Sequence, residues 1–146
     1  MDFPWYAFLT VLSVTWGACI GSFLNVCIYR IPLDLSVSRP GSHCPACKQP
    51  IRWYQNIPVL AFLYLRGKCA RCGIRISPRY VLVEILTALL FLLAWLKFDM
   101  EGGTRLLGLS PGTDVALVPL FWLVIMGLVL GTFVDFEHMI IPDRVT

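Results

Sequence analysis

Charge is what this chain has least of. Of its 146 residues only 14% are Asp, Glu, Lys or Arg while 58% are hydrophobic, a balance that excludes an ordinary soluble globular domain. The apolar runs show no period-two alternation, which excludes a transmembrane barrel. No basic residue precedes the first apolar run, and that run is too long for the core of a signal peptide, so it is expected to stay in the protein. Also missing are a glycine-rich nucleotide loop placed after a strand, a Ser/His/Asp arrangement and an internal repeat, which removes the function classes that rest on them. Acid is scarcer still between Arg30 and Arg79, where Asp34 stands alone.

What is present in quantity is apolar sequence. Trp5 to Ile28, Tyr80 to Leu96 and Val115 to Val134 are each close to the ~20 residues that a bilayer core requires, and spans of this kind must be helices, because isolated strands cannot satisfy their backbone in lipid. The fold class expected is therefore an all-α polytopic membrane protein with three transmembrane helices. Arg30, Arg39, Lys48, Arg52, Arg66, Lys68, Arg71, Arg75 and Arg79 all fall between the first two spans, which places that loop in the cytoplasm by the positive-inside bias. The N-terminus, with Asp2, and the loop holding Asp99, Glu101 and Asp114 against Lys97 and Arg105 belong outside. The Gly-rich outer loop gives no sign of chemistry. Basic residues interleaved with Trp53 and Tyr54 are explained by anchoring at the lipid headgroups, so no nucleic-acid partner is expected.

The basic loop carries Cys44-Pro45-Ala46-Cys47 and Cys69-Ala70-Arg71-Cys72, with 21 residues between the pairs. Two Cys-x-x-Cys pairs supply the four thiolates of a tetrahedral zinc site, and a gap slightly beyond the usual ~15–20 residues costs little, because the intervening loop can lengthen without moving the ligands. Disulfides or a redox motif are the other reading. A cytoplasmic loop is kept reduced, which favours zinc. His43 is a neighbour rather than a fifth ligand. Cys19 and Cys27 lie inside the first span, where a thiol behaves as a small apolar group.

Within the spans, Ser22 and Asn25 are one helical turn apart and should face protein rather than lipid, and Gly17 and Gly21 have the spacing that lets helices approach closely. Pro32 should end the first helix. Ile51 to Leu65, rich in aromatic and branched residues, is expected against the membrane face or the cysteine knuckle. Glu84 lies about one turn inside the second span, where an unpaired acid costs on the order of 2–3 kcal/mol. Either it pairs locally near the interface or it faces a site within the bundle. The third span ends in Val134-Asp135-Phe136-Glu137-His138-Met139-Ile140-Ile141-Pro142-Asp143, and Asp135 is the deepest of three acids there. A partly desolvated carboxyl at that depth can hold or release a proton during catalysis, whereas a solvated helix end is the plainer alternative. Asp135 and His138, at i and i+3, are weak evidence for a metal.

Taken jointly, several segments resemble the type IV prepilin peptidases, which cleave and N-methylate the precursors of pilus and type II secretion subunits. They are Gly-Ser-Phe-Leu-Asn-Val-x-Ile-Tyr-Arg-Ile-Pro at 21–32, both cysteine pairs, Arg66-Gly67-Lys68-Cys69, Ile76-Ser77-x-Arg79-Tyr80 with Glu84, and Asp135-x-Glu137-His138-x-x-Ile141-Pro142-Asp143. The resemblance runs almost the whole length of the chain. It implies an aspartic endopeptidase in which two carboxylates share a proton, one acting as base on water while the other polarises the scissile carbonyl. Asp135 matches the first of these aspartates. The second belongs to a later Gly-x-Gly-Asp helix that this sequence does not contain; Asp143, beyond the helix-breaking Pro142, is a poor substitute that can help to position Asp135.

By the same resemblance Cys44, Cys47, Cys69 and Cys72 hold zinc in a cytoplasmic domain, Gly67 and Lys68 match positions linked to methyl transfer from S-adenosyl-L-methionine, and Glu84 is a supporting residue. The substrates would be type IV prepilins or type II secretion pseudopilins, and the setting the bacterial inner membrane and its lipid. Residues 1–32 then form the first transmembrane helix and 33–79 the four-cysteine loop domain. Residues 80–146 hold the second and third transmembrane helices and the start of a peptidase domain, so that the chain corresponds to an N-terminal portion with one of two catalytic carboxylates. The competing reading is a non-catalytic zinc-knuckle membrane scaffold whose acids at 135–143 merely end a helix.

Overall fold

The computed structural model describes residues 5–97 and 113–140. Three long helices dominate: α1 (Trp5–Arg30), α3 (Arg79–Lys97) and α4 (Thr113–Ile140), with a short α2 (Leu60–Tyr64) and two 3-10 turns, Ile31–Leu33 and Trp53–Asn56, in the segment between α1 and α3. All three long helices are long and apolar enough to cross a membrane. Among the described residues there are no strands, only two isolated bridges, His43 with Pro50 and Lys68 with Arg75. The all-helical, three-span architecture expected from the apolar runs is the one observed. Pro32 falls in the 3-10 turn that follows α1 and closes that helix.

The order of contacts shows how the helices pack. From one end to the other, Trp95 Nε1 donates to Thr10 Oγ1 (3.0 Å), Gly17 faces Ala88 and Phe91, Gly21 faces Glu84, and Asn25 Nδ2 donates to the Tyr80 carbonyl (2.9 Å), so α1 and α3 run antiparallel. Glycine is required at the crossing: a Cβ on Gly17 would lie 2.8 Å from Ala88 Cα, and one on Gly21 would lie 2.7 Å from Glu84 Cα. With no hydrophobic drive between helices in lipid, backbone contact of this kind is what holds a pair together. Hydroxyls inside the spans are satisfied by carbonyls of the preceding turn, as Ser13 donates to Leu9 (2.6 Å) and Thr87 to Val83 (2.8 Å).

Helix α4 lies antiparallel to α3. Val118 packs on Trp95, and the Trp122 ring stacks on Phe91 with centroids 5.0 Å apart while its Nε1 donates to the Phe91 carbonyl (3.1 Å). Further along, Val129, Phe133 and Val134 join Leu24, Ile28 and Val83 in one apolar cluster. Asp135 therefore stands at the same end of the bundle as Arg30 and Arg79, between which the cysteine segment is strung.

Candidate metal centre and the acidic helix end

The cysteine segment is reeled onto the end of α1 by Arg30. Its guanidinium is buried and donates through Nη1 to the Ser36 carbonyl and through Nη2 to the Pro40 carbonyl, both at 2.8 Å, which folds residues 31–40 back over the helix end. The chain then makes two turns of the same kind. In the first, Cys44 N–H donates to Gln49 O, Lys48 N–H to Cys44 O and Ile51 N–H to Ser42 O; in the second, Cys69 N–H donates to Ile74 O, Gly73 N–H to Cys69 O and Ile76 N–H to Gly67 O. The residue after each second cysteine, Lys48 or Gly73, takes positive φ (57° and 71°). The expectation of no internal repeat thus needs correction. Two knuckles recur at an offset of 25 residues, 44 to 69 and 47 to 72, but beyond the cysteines only Ile51 and Ile76 are identical, too little to register as a repeat in sequence.

These turns bring the four sulfurs together. All lie within 4.8 Å of one another, with Cys44 Sγ 3.8 Å from Cys72 Sγ and Cys47 Sγ 4.0 Å from Cys69 Sγ. A tetrahedral ion with bonds of about 2.3 Å to sulfur needs sulfurs about 3.8 Å apart, so the cluster fits one such ion. Backbone N–H groups of Cys72 and Arg71 aimed at Cys69 hold its thiol down to about 6. Cys44 is likewise lowered, by the N–H groups of Cys47 and Ala46. The Ile74 N–H favours the thiolate of Cys72, yet desolvation and three neighbouring sulfurs push that thiol up to about 11. Charge repulsion between four converging thiolates is the load that a bound cation would remove. His43 stays outside the cluster, with Nδ1 3.0 Å from the Gly41 carbonyl. Cys19 and Cys27 lie in α1 and are not part of the cluster.

The stretch 51–65, expected against the membrane face or the knuckle, meets the helix pair instead through residues 57–60, just where the short helix α2 begins. Ile57 to Leu60 reaches between α1 and α3, where it borders an apolar groove of about 450 Å3 with Val14, Ala18, Ile85 and Leu89. Val59 there has φ 60° and ψ −51°, and the Leu60 N–H donates back to the Pro58 carbonyl (2.6 Å), so Val59 is the centre of a tight three-residue turn. Such turns are rare, and for a β-branched residue this conformation costs on the order of 1–3 kcal/mol. The Val59 N–H donates to Glu84 Oε2 (2.8 Å). Glu84 is 9% exposed and lies beside Ser22. The partner of this acid among the contacts described is thus a neutral backbone donor rather than a cation. On the far side of Ser22 is a cavity of about 350 Å3 lined by Phe23, Val26, Arg30, Ser38, Ser42 and Asn56 among others.

From Val59 the chain enters α2, whose end is closed by Gly67 N–H donating to Phe62 O (2.8 Å). Gly67 is buried with φ 64°, and a Cβ there would meet the Phe62 ring at 2.9 Å. Its carbonyl accepts from Ile76 N–H. Both polar groups of Gly67 are thus used internally, and Lys68, exposed, is the residue of the pair that presents a free charge. Asp135 is exposed on the surface of α4, because its helix meets its neighbours through the Val129, Phe133 and Val134 face. The side chains of Glu137 and His138, and Asp143 altogether, lie outside the described residues.

The sequence had no means of pairing Val59 with Glu84 or Phe62 with Gly67, although an acid inside a span does announce that some donor must reach it.

A sequence family described as the Bacterial Peptidase A24 N-terminal domain matches residues 15–98. Among similar proteins, a prepilin leader peptidase/N-methyltransferase of Myxococcus xanthus is 45% identical over 130 residues, covering 89% of this chain and 35% of that protein. One of the same description from Klebsiella pneumoniae is 39% identical over 150 residues (99% of this chain, 58% of the relative). A type 4 prepilin-like proteins leader peptide-processing enzyme of Escherichia coli is 38% identical over 158 residues (96% and 54%). The chain thus spans between 35% and 58% of the length of these relatives. No solved structure matches it. The matched segment begins in α1 before the glycine crossing and closes at the end of α3, so it takes in the clasped helix pair together with both knuckles, and it is to the bacterial peptidase A24 N-terminal domain family that this chain belongs.

Proposed function

We propose that this chain works in the maturation of type IV prepilins and the related pseudopilins, as part of a membrane-embedded enzyme that removes the leader and N-methylates the new N-terminus. The observation that carries the reading is the convergence of four sulfurs on the end of the bundle where Asp135 also stands. Cys44, Cys47, Cys69 and Cys72 would hold zinc, which supplies a fixed cross-link between the two knuckles and takes no part in the chemistry. Residues 1–32, 33–79 and 80–146 then act as anchor, zinc-bearing loop domain and start of the peptidase domain.

Asp135 would be one of two carboxylates of an aspartic dyad, taking a proton from the attacking water, with Asp143 helping to orient it. Its exposed position suits a residue whose partner carboxylate arrives on another helix. S-adenosyl-L-methionine would supply the methyl group for the new N-terminal amine. Lys68 fits that donor's carboxylate, being an exposed ammonium, and Gly67 shapes the backbone that carries it rather than touching the ligand. The surplus of Lys and Arg between α1 and α3 supports a cytoplasmic loop domain in a bacterial inner membrane, with the N-terminus outside.

The test uses a protein of the relatives' length that carries this sequence, in membranes with a prepilin and labelled methyl donor. Leader cleavage followed by label on the mature N-terminus is the expected result. Neither activity, from protein that retains its zinc, would leave the scaffold reading.

A further inference from the structure

Glu84 is the one buried carboxylate among the described residues of the helix pair, and it accepts from a backbone N–H of the loop domain rather than from a cation. Its donor, Val59, sits in a conformation that a β-branched residue adopts only when its surroundings hold it there. Three links lead from that turn to the second knuckle. The turn starts α2, the α2 residue Phe62 accepts from the Gly67 N–H and places its ring where a Cβ on Gly67 would stand, and Gly67 in turn accepts from Ile76 beyond the second cysteine pair.

We propose that Glu84 is a positioning residue: from inside the membrane helix pair its carboxylate holds the strained Val59 turn, and through α2 and Phe62 it sets where the Gly67–Lys68 corner stands relative to the bundle. The functional half of this inference, that the position matters for methyl transfer, rests on the reading given above; the structural half does not. The hydrogen bond requires an acceptor at Glu84, not a charge. Glutamine retains a carbonyl oxygen of nearly the same reach, and alanine retains nothing. Val59 is under strain because of its Cβ, and glycine at the same place takes positive φ freely.

Amide hydrogen exchange on the zinc-loaded, full-length protein reads the latch without substrate. Glu84→Ala should speed exchange across residues 57–67 by about tenfold or more, the loss of one buried acceptor, and leave the first knuckle, residues 42–51, within about threefold of wild type. Glu84→Gln should stay within about threefold throughout. Val59→Gly added to Glu84→Ala should restore most of the protection, which a general loss of stability would not allow. On prepilin, Glu84→Ala should lower methyl transfer about tenfold while cleavage stays within about threefold, and Glu84→Gln should recover methyl transfer. Unchanged exchange in Glu84→Ala, equal damage from Glu84→Gln, or no rescue by Val59→Gly would overturn the latch. Equal loss of cleavage and methyl transfer would overturn its assignment to the methyl-transfer corner. Wild-type protein inactive in both reactions would count against the proposed function, with exchange still deciding the latch.

Discussion

Gly21→Ala should separate α1 from α3. An ideal Cβ on Gly21 lies 2.7 Å from Glu84 Cα and 3.1 Å from the Val83 carbonyl oxygen, and ordinary contact begins near 3.4 Å. The helices must therefore part by about 0.7 Å, the shortfall of 2.7 Å from 3.4 Å, because both of these atoms are backbone and neither can rotate away. Overpacking of this kind costs about 1–3 kcal/mol, against at most ~1 kcal/mol that alanine gains as a helix former. The same displacement stretches the Asn25 to Tyr80 bond and shifts Glu84 beneath Val59. A net loss of about 1–2 kcal/mol corresponds to a fall of about 2–8 °C in Tm. Thermal unfolding in detergent, followed by circular dichroism, is the assay, and Gly127→Ala is the control. Nothing lies within 4 Å of a Cβ placed at Gly127 in α4. If Gly21→Ala unfolds at the same temperature as Gly127→Ala, the close crossing is not what holds the pair.

Elemental analysis of protein purified without chelator should give one zinc per chain, falling to near zero when Cys44 and Cys72 are replaced by Ser. In metal-stripped, reduced protein, Cys69 should be the first of the four to react with iodoacetamide and Cys72 the last. A thiol lowered to about 6 is mostly thiolate at pH 7, and its reactivity should fall as pH drops through 6, whereas one raised to about 11 stays protonated until strongly alkaline pH. Impermeant thiol reagent should not reach metal-stripped Cys44 from outside intact cells, since the basic loop is placed in the cytoplasm; labelling from outside would invert the topology. Gly67→Ala, which forces a Cβ to within 2.9 Å of the Phe62 ring at φ 64°, should lower methyl transfer at least tenfold while leader cleavage and zinc content change little.

The spans and the knuckles were legible because their signals are local: apolar length, Cys-x-x-Cys spacing, and the one-turn separation of Gly17 and Gly21 that becomes the helix crossing. Asn25 could be read as facing protein for the same reason, since an amide in a span needs a partner. What the sequence withheld is set by tertiary contact. Leu60–Tyr64 is too short to show helical periodicity, and its start depends on an acid 25 residues later along the chain, from Val59 to Glu84. The positive φ at Val59 has no turn signal, because valine is a residue that turn chemistry avoids. Which face Asp135 takes is likewise not written in the sequence, because depth in an apolar run says how far a residue lies along a helix but not which way it points.

The most direct test of the account is Asp135→Asn in a protein of the relatives' length, read for leader cleavage, zinc content and membrane insertion together. An amide has nearly the shape of a carboxyl but cannot take a proton from water, so the account predicts loss of cleavage with zinc and insertion unchanged, and a smaller effect from Asp143→Asn. Wild-type cleavage rates from Asp135→Asn would contradict it.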